Sequence, residues 1–158
     1  MSGGTDLHDL LATMRPEVRA GEYVFASLTA MPDVECEAIV RETEGITCVV
    51  RREVADAAGW PYDFVAGWLT LQVHSALEAV GLTAAVSAAL TSAGIPSNVI
   101  AGYFHDHLLV PADRLDDALR TLTDLSAFHA SGAHARRSPG EVRRSPGRRA
   151  SDQPGHDH

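Results

Sequence analysis

Residues 73–111 read VHSALEAVGLTAAVSAALTSAGIPSNVIAGYFHDHLLVP, and this stretch decides the fold. Its first residues continue an alternation begun at Trp68. Leu69, Leu71 and Val73 share one face, and Thr70, Gln72 and His74 the other, the spacing of a half-buried strand. After Gly81 the period changes. Leu82, Val86 and Leu90 recur four apart, which predicts an amphipathic helix from near Leu82 to Ala93, with alanines that allow close packing on a sheet. Gly94 supplies the left-handed stop and Pro96 forbids continuation. Asn98 to Phe104 and His107 to Val110 then predict a hairpin. Asp113 is placed to cap a last helix, whose Leu115, Ala118, Leu119 and Leu122 form the buried stripe.

Strand, helix, hairpin and helix make most of a βαββαβ unit, the ferredoxin-like arrangement, with only Ala127-Phe128-His129 left as a weak closing strand. Working outward, the first half reads as a reduced version of the same unit. Thr5 to Met14 predicts a short helix with Leu7, Leu10, Leu11 and Met14 on one face, ended by Pro16 and Gly21. Tyr23 to Leu28 is strand-like. Cys36 to Glu42 and Ile46 to Arg51 alternate around Thr43-Glu44-Gly45 as a hairpin, with Cys36, Ala38 and Val40 on one face. Glu53 to Ala58 is a short helix stopped by Gly59 and Pro61. The expected class is α+β, with antiparallel sheets in two units, residues 1–66 and 67–129. Residues 130–158, with the near-repeat RRSPGEV/RRSPGRR, lack apolar periodicity and are expected to form a disordered tail.

Charge divides the chain at the same place. The tail carries six of the thirteen arginines, while the seven in residues 1–129 face eighteen acids, leaving that part at −11. Such a body is unsuited to nucleic acid, where binding needs clustered cations. Lysine is absent altogether, which removes Schiff-base and P-loop lysine chemistry. Cys36 and Cys48 lack the spacing of a zinc site or a disulfide framework. No apolar run approaches the roughly 20 residues that span a bilayer, and the N-terminus lacks the pattern of a signal peptide. A cytoplasmic protein that binds neither membrane nor nucleic acid is expected.

Residues that carry chemistry are present without the company that chemistry needs. His74, His105 and His107 surround Asp106, but alternation turns Asp106 away from its two neighbours, and zinc requires convergent ligands. Ser75 beside His74 has no nucleophile elbow. Glu42 and Glu44 flank a tight turn, where they simply solvate the hairpin. Neither an enzyme nor a metal or cofactor is expected. The glycine-opened helix at Gly81 is different, because its first N–H groups have no intrahelical partner and suit a small anion.

The motifs HSALEAVGLTAAV, GIPSNVIAGYFHDHLLVP and, more weakly, ETEGITCVV resemble the ACT domain, in particular small bacterial proteins made of two ACT-like units. The resemblance covers residues 6–125. It implies regulation by a small molecule, commonly an amino acid, bound where a helix-opening turn meets neighbouring strands. Carried onto this sequence, Gly81, Leu82 and Thr83 would donate backbone N–H groups to a carboxylate. Asn98 and Val99 would border the pocket, and Asp106 would face the ligand's cationic part. ACT units commonly pair, so a homodimer is expected. The alternative is a non-catalytic interaction module with a vestigial pocket.

Overall fold

The computed structural model describes residues 6–73 and 80–135. Ten elements follow one another: α1 (Leu7–Thr13), β1 (Arg15–Leu28), β2 (Ala38–Arg41), β3 (Ile46–Arg51), α2 (Arg52–Ala58), β4 (Val65–Gln72), α3 (Leu82–Ser92), β5 (Asn98–Ala101), β6 (Asp106–Pro111) and α4 (Leu115–Ala135). The six strands form one antiparallel sheet in the order β2-β3-β1-β4-β6-β5. Residues 112–114 are a 3-10 turn into α4, so Asp113 lies within that turn rather than at an α-helix start.

The two central strands belong to both halves. Tyr23 to Leu28 pair with β3, whereas Arg15 to Arg19 pair with Gln72 to Trp68 of β4. Between these stretches the register slips, so that Ala20, Gly21 and Glu22 lie opposite Gly67 alone. Gly21 takes φ 101°, a left-handed conformation in which side chains are strained. The strand that closes the second unit is therefore the beginning of β1, not Ala127–His129. Pro16 is tolerated there because β1 has no β3 partner before Tyr23. The boundary expected at 66/67 falls inside β4, whose first residues close the other unit.

All the helices lie on one face. Leu10, Leu11 and Met14 reach down from α1, Leu82, Val86 and Leu90 from α3, and Ala118 and Leu122 from α4, onto Leu69, Leu71, Leu108 and Val110. Ala55 of α2 continues this layer over Val24, Cys48 and Val50. At about 1.5–3 kcal/mol for each fully buried large apolar side chain, this face supplies most of the driving force. The opposite face has no helix residue in its core, which is Tyr23, Val49, Ala66, Trp68 and Leu109.

Two further expectations change. Cys36 and Ala38 do not share a face: Glu37 N–H donates to the Val49 carbonyl although Ala38 is already Val49's partner. That doubled pairing is a bulge, which reverses the alternation and sends Cys36 into the α2 layer while Ala38 stays on the open face. The last helix also runs on to Ala135, through residues expected to form a strand and the start of a tail. Ser126 Oγ donates to the Met14 carbonyl at 2.8 Å, and the His129 ring stands 5.4 Å from His8, so α1 holds this extension. Residues 136–158 of the expected tail lie outside the described residues.

Candidate functional site

The helix-opening turn has the form its glycine requires. Gly81 takes φ 98° and precedes α3, and among the described residues no side chain caps the helix. Ala85 N–H donates to the Gly81 carbonyl at 2.9 Å, closing the first turn and leaving the N–H groups of Leu82, Thr83 and Ala84 without an intrahelical acceptor. The partial positive charge there favours an anion. The Leu82 side chain is buried, so this residue offers its N–H alone, and Thr83 is exposed. A Cβ on Gly81 would stand 3.0 Å from Leu7 Cδ2.

Asp106 begins β6 at the end of the sheet where α3 starts. It lies two and four residues before Leu108 and Val110, which enter the helical core, and so shares their face. Asn98 and Val99 do not join this end. β5 begins where α3 stops, after eleven helical residues, a run of about 16 Å. Asn98 pairs with Leu109 on the open face, and Val99 packs into the helical core. The structure thus gathers Gly81, Leu82, Thr83 and Asp106 at one end and leaves Asn98 and Val99 at the other.

The same end of the sheet carries a cleft of about 400 Å³ lined by Arg15, Glu17, Gln72 and His105 from the open face and by Thr13 and Val73 at the sheet's end. Arg15 stands opposite Gln72, and Glu17 opposite Thr70. Gln72 Nε2 donates to Glu17 Oε2 at 3.0 Å. Below them, Arg19 lies over Trp68, 4.9 Å from the ring centroid, and pairs with Glu37 at 2.6 Å. Trp68 Nε1 donates to His107 Nδ1 at 3.2 Å, and Thr70 Oγ1 is 3.0 Å from the same nitrogen. Burial first, then the charges of His105 and Arg19, pushes His107 below its ordinary 6.5. With Nδ1 accepting from the indole, this geometry favours the neutral ring. Arg15 and Glu17 were missed because Pro16 hid the strand; the alternation Arg15, Glu17, Arg19 was the available signal.

Other chemistry finds no assembly. Among the described residues no three His, Cys, Asp or Glu side chains converge on a metal position. His74 and Ser75 lie outside the described residues. Glu42 accepts a hydrogen bond from the Thr47 hydroxyl across its hairpin. Burial and the neighbouring Cys48 push the Cys36 thiol up to about 11, which keeps it from being a thiolate nucleophile. No described helix is long and apolar enough to cross a membrane.

Comparison with known proteins accounts for this architecture. No curated protein matches the sequence. A Vibrio cholerae protein of unknown function, described as a possible transport protein, is 42% identical over 76% of this chain and 95% of its own, with a TM-score of 0.71. An Agrobacterium tumefaciens protein shares the fold at 20% identity, covering 72% of this chain and 89% of its own, with a TM-score of 0.58. The regulatory subunit of aspartate kinase from Thermus thermophilus shares it at 11% identity, covering 70% and 95%, with a TM-score of 0.54. ACT domain family profiles match twice, over residues 2–67 and 64–124, and the matches overlap at the beginning of shared strand β4. With both halves matched and their central strands shared, the chain belongs to the ACT domain family.

Proposed function

We propose that this protein is a non-catalytic regulatory module that binds an amino acid at the start of α3. ACT domains are generally regulatory and often bind amino acids. The observation that carries the reading to this chain is the helix start at Gly81, left without a side-chain cap among the described residues, with Asp106 at the same end and on the same face of the sheet. Backbone N–H groups of Leu82 and Thr83 take the carboxylate, and Asp106 takes the ammonium or a cationic side chain. A phosphate would meet Asp106 as a like charge, so a dipolar ligand fits better. A ligand bound only by the folded protein raises stability by RT ln(1 + [L]/Kd). Melting the protein with each of the twenty amino acids should therefore give an upward shift for one or a few related ones. A flat panel, or a shift that survives unchanged in Asp106→Ala, would refute this reading.

A further inference from the structure

We infer a second small-molecule site in the cleft between the beginning of β1 and the end of β4, whose charged residues leave the sheet face opposite α3, suited to a small dipolar ion with a carboxylate and an ammonium group. Arg15, Glu17 and Arg19 alternate along β1, so their side chains leave the same face about 7 Å apart in succession. Arg19 is committed, held by Glu37 and stacked on Trp68. The pair at the cleft is not. Among the described residues no acid lies within ion-pair distance of Arg15, although Glu17 is its neighbour on that face. Glu17 instead takes a hydrogen bond from Gln72, which fixes one carboxylate oxygen, and among the described residues none bonds the other.

Opposite charges side by side on one strand, bordering a cleft of about 400 Å³, leave room for a molecule that presents the reverse pair. The Arg15 fork takes a carboxylate through two parallel N–H bonds, and Glu17 takes the ammonium. His105 also lines the cleft. An anion alone would be repelled by Glu17, and a cation alone by Arg15. This site is distinct from the one at α3, with which it shares no residue: its charged residues Arg15 and Glu17 point to the other face of the sheet.

The test is an NMR titration of the full-length protein with each of the twenty amino acids, following backbone amides in the wild type, Arg15→Ala and Glu17→Gln. Both substituted residues are exposed, and the spectrum itself reports that each variant is folded. One or more amino acids should move the amides of Arg15, Glu17 and Gln72, and each variant should weaken that effect by about tenfold or more. If only the amides of Leu82, Thr83 and Asp106 move, the site at α3 stands and this one falls. If Arg15, Glu17 and Gln72 respond equally in wild type and variants, the cleft charges do not bind the ligand. If nothing moves, both sites fall.

Discussion

His107 shows how a single residue ties the open face together. Its Nδ1 accepts the Trp68 indole hydrogen bond, which protonation at that nitrogen would abolish. Its folded value lies below the ordinary 6.5, chiefly through burial. The folded state therefore binds this proton less readily than the unfolded one, so His107's contribution is complete above about 6.5 and is lost as pH falls through the folded value. Urea titrations at pH 7.5 and 5.5 should show wild type losing more stability on acidification than His107→Gln, and the ring should titrate below 6.5 by NMR. A ring midpoint above 6.5 would contradict the geometry. The sequence marked His105 and His107 as sharing a face. It gave no sign of Trp68 as a partner, because that hydrogen bond depends on the pairing of β4 with β6.

At the level of elements, strands β4 to β6 and helix α3 were readable because each obeys a single period along its length. Leu69→Ala tests the buried face so predicted. It should cost about 2–5 kcal/mol in urea unfolding, as for other large-to-small changes in a packed core. β1 was read only from Tyr23, since Pro16 and Gly21 resemble a helix stop. In the structure Gly21 is the point where one strand passes from serving the second unit to serving the first. Gly21→Val should cost about 1–3 kcal/mol through its left-handed backbone and its approach to Arg51, where a Cβ would lie 2.5 Å from Nη1. Wild-type stability in that variant would show that the crossover point is not constrained. The tail boundary and the closing strand were misplaced for one reason. Both depended on α1 packing against the end of α4, a contact between residues more than a hundred positions apart. Of the residues expected to form the helix-start site, Gly81, Leu82, Thr83 and Asp106 lie at one end of the sheet. Asn98 lies at the other end, because strand direction rather than local pattern decides which end it occupies.

For the whole molecule, shared strands make the two ACT units interdependent. Residues 1–66 alone would lack most of β4, and residues 67–158 would lack β1, so neither fragment should show a cooperative melt. Mixing them should restore one. An independent transition in either fragment would show that the unit is self-sufficient. The edges of the sheet are β2 and β5, and Ile39 and Val40 on β2 are 45% and 55% exposed. Exposed apolar edge strands are commonly covered by a second copy, so light scattering should report a dimer that Val40→Lys weakens. A wild-type monomer at high concentration would oppose this. The central claim, an amino acid held between the start of α3 and Asp106, is tested most directly by calorimetric titration. The ligand is the amino acid that raises the melting temperature, and the proteins are wild type and Asp106→Ala. Saturable binding that weakens by about tenfold or more in the variant is the predicted result. Equal affinity in the two proteins would contradict it.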